Sequence, residues 1–304
     1  MKSESRAAAI AQALFVTFLW STSWVLIKIG LREVPALTFA GLRYVLAFLV
    51  LMPVLAYRGH LKQVRRLPRR TWSQLALLGV LFIAVTQGAQ FLALAYLPAV
   101  TVNLILSLTT IAVALMGIIL LAERPGPVQW AGIGLAMIGA MVYFLPVGVG
   151  GGQAIGLIVA GVCVLANGGS GVMGRDVNRR KDLPPLLVTT ISMGFGSILL
   201  LAVGLAFQGL PRLSLTGWLI IAWLAVVNTA LAFTLWNRTL RTLTAVESSV
   251  INNTMLIQIP ILAVIFLGES LSWLEIVGLI LAGAGTLIVQ LRKPRLAEAT
   301  PAHP

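Results

Sequence analysis

The residues able to do chemistry in this sequence are amides, hydroxyls and indoles set inside apolar runs. Asn103 and Ser107 stand four apart, with Thr110 continuing their face; in a second run, Ser249 and Asn253 repeat that spacing, with Asn252 beside them. Residues three or four apart share one face of a helix. Gln87, Gln90 and Phe91 form such a face in a third run, and its counterpart carries Asn228 and Trp236. Trp20, Ser23 and Trp24 make another group. A shift of 147 residues brings Ser23 onto Ser170, so Asn167-Gly168-Gly169-Ser170-Gly171 holds the equivalent place. Tryptophan faces suit stacking or cation–π contact with an ammonium, and exposed glycine backbone suits a zwitterion. Arg43 lies roughly 12 Å beyond Pro35 by helical rise, where it can hold a substrate carboxylate, pair with carbonyls or reach an interface. Such groups bind a small molecule reversibly. Each also has a structural use: an interfacial tryptophan belt, close glycine packing, or interhelical hydrogen bonds worth about 0.6–2 kcal/mol.

Covalent and metal chemistry find no support. Cys163 is alone, and His60 and His303 are far apart in sequence, so no metal or cofactor is expected. There is no Gly-x-Ser-x-Gly elbow, and the Gly148–Gly152 segment lacks a following Gly-Lys-Ser/Thr. An intramembrane enzyme is therefore the remote alternative, and a channel would need a charged ring or a filter segment. Every Asp and Glu falls near a predicted helix end or in a loop, so proton coupling has no intramembrane carboxylate to use.

The elements carrying these residues follow from composition. Of 304 residues, 59% are hydrophobic and 10% charged, with a mean hydropathy of +0.97. Soluble domains carry roughly 25% charged residues, so this chain needs lipid as solvent. Membrane-spanning runs need roughly 20 residues. We place all-α spans at 8–31, 36–57, 73–95, 99–121, 127–146, 153–174, 184–207, 214–237, 245–267 and 272–291. The run from Ala8 to Leu31 has no small-residue cleavage site and reads as a retained first helix. The net charge of +13 comes from clusters between the runs, which argues for membrane topology rather than nucleic acid. With the N-terminus inside, cytoplasmic segments hold 18 of the 22 Lys and Arg, outer segments hold Lys28, Arg32 and Arg212, and Arg43 lies within a span. Both termini are expected in the cytoplasm of a bacterial inner-membrane protein.

The sequence repeats itself at an offset of 146. Trp72 meets Trp218, Leu97 meets Leu243, Glu123 meets Glu269, and Gly132 and Gly139 meet Gly278 and Gly285. Five helices is an odd number, so the second copy must insert upside down. The expected units are 1–150 and 151–295, with 296–304 a disordered cytoplasmic tail. Thr244-x-x-Glu247 and Ser272-x-x-Glu275 read as capping boxes. Glu123 and Glu269 are expected to satisfy amides or cations of the next helix, and Lys28 to reach the outer interface. Gly132-xxx-Ala136-xxx-Ala140 and its copy Gly278-xxx-Ala282-xxx-Thr286 read as packing surfaces.

In each half a small-residue turn opens a helix ending in leucine–small–Glu, and a helix with spaced glycines follows. Leu97-Pro98-Ala99-Val100, Leu121-Ala122-Glu123, Gly132 and Gly139 return as Leu243-Thr244-Ala245-Val246, Leu267-Gly268-Glu269, Gly278 and Gly285. This pattern resembles the EamA-type branch of the drug/metabolite transporter superfamily, over essentially the whole chain. The resemblance implies ten helices in inverted repeats around a central cavity, and export of neutral or aromatic amino acids, other metabolites or drugs. The chain departs from the family at Asn167–Gly171, which replaces a tryptophan-containing segment. The expected partners are a small-molecule substrate and the bilayer; a monomer is the expectation.

Overall fold

In hydrocarbon every backbone amide and carbonyl must be satisfied within the chain, and a helix does this locally. The computed structural model describes residues 6–121, 123–124, 126–145, 151–179, 183–239, 242–243, 250–291 and 295–296. We number the principal helices α1 (Arg6–Gly30), α2 (Ala36–Tyr57), α3 (Arg69–Tyr96), α4 (Ala99–Ser107 and Thr109–Leu121) and α5 (Pro127–Phe144). The rest are α6 (Gly151–Arg179), α7 (Pro185–Gln208), α8 (Leu215–Trp236), α9 (Val250–Leu267) and α10 (Trp273–Leu291). Among the described residues nine of these are long and apolar enough to cross a membrane; α4 enters only as a shorter apolar helix. A two-residue antiparallel bridge pairs Glu123–Arg124 with Arg295–Leu296. The Thr244–Glu247 capping box, Ser249, the Glu123 side chain and the tail beyond Leu296 lie outside the described residues.

The outer surface is apolar. Phe15, Phe18, Leu49, Ile158, Ile198 and Phe266 are all exposed, the reverse of a water-soluble surface. Inside, α5 and α10 pack along their whole length, as do α2 and α7; α1 lies against α8 and α9, and α6 against α3 and α4. Exchanging α1–α5 with α6–α10 maps this set of pairings onto itself.

Inverted-repeat transporters carry interrupted helices at matching positions, and the equivalent segments Trp20–Trp24 and Asn167–Gly171 are not where the interruptions fall. Both of those segments are unbroken helix, and the Ser23 and Ser170 hydroxyls fold back onto the carbonyls of Trp20 and Asn167. Instead α3 contains a π-helical stretch, Val80–Gln87, and α8 contains another, Val226–Leu231. Thr86 and Thr229 each donate to a carbonyl five residues back, Leu81 and Leu224, both at 2.8 Å, which fits the wider turn. The second pair of defects is in α4, at Leu108, and α9, at Thr254. Both close with an i−3 backbone bond, Leu108 to Ile105 and Thr254 to Ile251, each 3.1 Å. Val226 is the repeat of Val80 and Thr254 that of Leu108, so both kinds of defect recur at the 146-residue offset. The α9 break is buttressed by α1: Ser21 donates to Gln258 Oε1 at 2.8 Å, and Gln258 Nε2 donates to Thr254 Oγ1 at 3.0 Å.

Ser272 and Glu275 form the expected box at the start of α10, with Ser272 N donating to Glu275 at 2.7 Å and Glu275 N to Ser272 Oγ at 3.3 Å. Glu269 serves a different helix from the one expected. Its carboxylate accepts from Ala99 N at 2.7 Å and Val100 N at 3.1 Å, first-turn amides of α4 in the other half that have no carbonyl within the helix to bond. Pro98 at that N-cap has no side-chain donor or acceptor to do this. An anion at a helix N-terminus is favourable. Glu269→Gln should therefore lower stability by about 1 kcal/mol, read as a drop in the midpoint of thermal unfolding in detergent; an unchanged midpoint would show the clamp to be idle.

Candidate functional site

The helical defects surround a cavity of about 380 Å³, within the 300–1,000 Å³ typical of small-molecule sites. One wall is aromatic. Trp20 of α1 packs on Trp236 and Phe233 of α8 with ring centroids 5.1 and 5.5 Å apart, and Phe233 meets Phe82 of α3 at 6.5 Å. Trp24 and Ser23 extend the wall along α1.

The facing surface is polar and neutral. Gln87 and Gln90 come from the end of the α3 π-helical stretch and the turn after it; their side chains have no hydrogen-bond partner among the described residues. Asn103 and Ser107 come from α4 just before its break. Asn103 donates weakly to the Met255 carbonyl at 3.4 Å, and Ser107 to the Leu104 carbonyl at 2.6 Å. Asn252 and Asn253 stand just ahead of the α9 break, and Asn167 of α6 completes the ring, donating to Thr109 Oγ1 at 3.4 Å. Asn253 donates to Gln290 Oε1 at 2.9 Å, and Gln290 donates to Thr110 Oγ1 at 2.8 Å.

Two expected residues are not in the lining. Ser170 is buried outside the lining and donates to the Asn167 carbonyl at 3.0 Å. Asn228 is fully buried within the α8 π-helical stretch. Its amide donates to the Leu19 carbonyl and to Thr22 Oγ1, tying α8 to α1, so it acts as an interhelical bond. The glycines beside Ser170 also miss the site: a Cβ on Gly168 would meet Met116 and Val113, and one on Gly169 or Gly171 would meet nothing.

Arg43 reaches the cavity from α2 although only 4% of its surface is exposed. Its Nε donates to Thr229 Oγ1 at 3.0 Å. Its guanidinium lies 5.2 Å from the Tyr44 ring centroid and 5.8 Å from that of Phe91. No carboxylate of a described residue is within ion-pairing distance. The π-helical stretch of α8 thus has a visible use: Thr229 gives its proton to Leu224 and turns a lone pair toward Arg43.

Tyr44, Phe82, Phe233, Leu106, Met255 and Leu256 also line the cavity and were missed. Phe233 was legible, because it lies three residues before Trp236 on the same helix face; the three aliphatic residues carry no signal distinguishing them from packing. A second space of about 500 Å³ lies among Lys28, Arg32, Leu97, Pro98, Leu267 and Glu269. Lys28 is there, near the end of α1. This space is the larger of the two, but its carboxylate is already held by backbone amides, and the converging free amides are in the first.

Comparison with known proteins agrees with this architecture. The model of the EamA-like transporter family matches twice, over residues 7–145 and 154–291. The chain is 28% identical over 229 residues to the "uncharacterized inner membrane transporter YedA" of Escherichia coli (strain K12), covering 72% of this chain and 70% of that protein. It is 25% identical over 292 residues to a "probable amino-acid metabolite efflux pump" of Salmonella typhimurium, covering 91% of this chain and 92% of that one. A solved crystal structure superposes with a TM-score of 0.66 at 20% identity, covering 94% of this chain and 98% of the other, which establishes likeness of fold. With apolar helices throughout and two matches to the family, the chain belongs to the EamA-like transporter family and is a multi-pass membrane transporter rather than an enzyme.

Proposed function

We propose that the protein exports small zwitterionic metabolites, chiefly neutral and aromatic amino acids, by alternating access across a bacterial inner membrane. In this reading ten helices cross the bilayer as two inverted five-helix repeats, 1–150 and 151–295, with both termini in the cytoplasm. The observation that carries it is the composition of the cavity: an aromatic wall, a ring of neutral amides and hydroxyls, and one buried guanidinium. Trp20, Trp24 and Trp236 receive the apolar side chain. Gln87, Gln90, Asn103, Ser107, Asn167, Asn252 and Asn253 contact polar groups, and Arg43 holds the carboxylate as a fork.

The defects supply the motion. Broken helices at matching positions of two repeats are places where rigid segments can tilt. Leu108 and Thr254 lie next to the polar lining, so a tilt there changes access to both sides of the site. A membrane carboxylate for proton coupling is absent from the cavity lining among the described residues, which supports facilitated exchange down an outward gradient. A monomer contains every group this scheme uses.

The test is counterflow into proteoliposomes against amino acids, sugars and cationic drugs, with and without a pH gradient. Phenylalanine, tyrosine and leucine should exchange at rates insensitive to the pH gradient. Exchange of cationic drugs alone would replace this reading with multidrug efflux.

A further inference from the structure

Arg43 carries a consequence for the charge of the cargo. A guanidinium keeps its proton in proteins, and this one is buried, held at Nε by Thr229, and flanked by the Tyr44 and Phe91 rings. Its two terminal nitrogens have no hydrogen-bond partner among the described residues, yet neither is sealed from open space. They therefore present donors to the cavity that Arg43 lines. A buried charge with no counter-ion is unfavourable, and among the described residues the cavity lining contains no Asp or Glu. An entering carboxylate relieves that; an entering ammonium finds, among the described residues, aromatic faces and neutral amide and hydroxyl oxygens, in a small space that already holds a positive charge.

We infer that the transported molecule is read through its carboxylate alone, that its ammonium group is dispensable, and that aromatic monocarboxylate anions are carried with the membrane potential as the driving force. This rests on the same cavity as the proposed function and narrows its substrate rule. A zwitterion leaves without moving net charge. A monocarboxylate lacking the amine takes one negative charge outward per cycle, a direction that an inside-negative potential favours. No proton-carrying residue is needed for uphill export of such an anion.

The experiment uses purified full-length protein in proteoliposomes with a potassium diffusion potential. The probes are phenylalanine, 3-phenylpropionate (which lacks the amine) and phenylalaninamide (which lacks the carboxylate). 3-Phenylpropionate should exchange, and its steady-state gradient should shift about 50-fold per 100 mV, from ~2.3 kcal/mol per elementary charge. The phenylalanine gradient should not respond to potential, and phenylalaninamide should fail to compete even at tenfold excess. Arg43→Gln should reduce 3-phenylpropionate exchange at least tenfold, with Arg43→Lys restoring part of it. The substrate series on the unmodified protein gives the answer even where Arg43→Gln does not fold. Equal competition by phenylalaninamide, or a 3-phenylpropionate gradient indifferent to potential, overturns the inference. Phenylalanine exchange without 3-phenylpropionate exchange overturns it and leaves the amino-acid reading standing. The reverse pattern overturns reading by the carboxylate alone and removes amino acids as cargo, and exchange of neither removes both.

Discussion

Gly139→Leu is expected to abolish accumulation of folded protein, whereas Gly134→Leu, on the same helix, should leave it unchanged. The difference is where each glycine points. A Cβ built on Gly139 would lie 2.3 Å from the Ala282 backbone nitrogen, and one on Gly285 would lie 2.3 Å from that of Ala136. Backbone cannot swing aside as a flexible side chain can. The α5 and α10 axes would have to separate along their whole contact, and small residues are what allow close approach where lipid supplies no hydrophobic drive. At Gly134 the same Cβ meets nothing within 4 Å. Overpacking ordinarily costs 1–3 kcal/mol per site, and steric backbone conflict more. A total stability of about 5–15 kcal/mol leaves little room for it. Fluorescence-detected size exclusion of the two variants decides the matter: a monodisperse Gly139→Leu protein at normal yield would mean that the α5–α10 contact is wrong.

The second large effect is expected at Asn253→Leu, which should reduce amino-acid exchange at least tenfold. This residue does two things at once, and they can be separated. Its amide lines the cavity and also donates to Gln290, which in turn donates to Thr110 across the α4–α9–α10 junction. Removing it alone leaves Gln290 without that partner, at a cost of about 1–3 kcal/mol. Replacing both partners by apolar groups can be nearly neutral. Asn253→Leu combined with Gln290→Leu should therefore regain thermal stability without regaining exchange. Recovery of exchange in the double variant would show that the polar face of α9 serves packing only.

Much of the architecture was legible because it depends on local properties. Apolar runs of spanning length, charge clusters between them and a 146-residue repeat are all readable without knowing what touches what. The α5–α10 contact was legible for the same reason, since a small residue every fourth position from Gly132 and from Gly278 declares a packing face. The identity of most cavity residues followed as well, because an amide inside an apolar run has to face protein or water rather than lipid.

What the sequence could not assign was the partner of each polar group. Asn228 and Asn103 are both amides in apolar runs, yet the Asn228 Nδ2 is consumed by Leu19 and Thr22 while Asn103 borders open space. The glycine-rich Asn167–Gly171 segment reads as a break but stays helical, and the true breaks fall at Leu108 and Thr254, where no proline or glycine marks them. Glu269 was assigned to its neighbouring helix and instead caps one in the other half. In each case the deciding quantity is a helix rotation or a contact between residues far apart in sequence. By itself the sequence determined a lipid-embedded, twofold-repeated helical chain with a polar interior, through hydropathy and period. Only the tertiary structure decided which polar groups are satisfied by other helices and which are left, with Arg43 among them, to face the cavity.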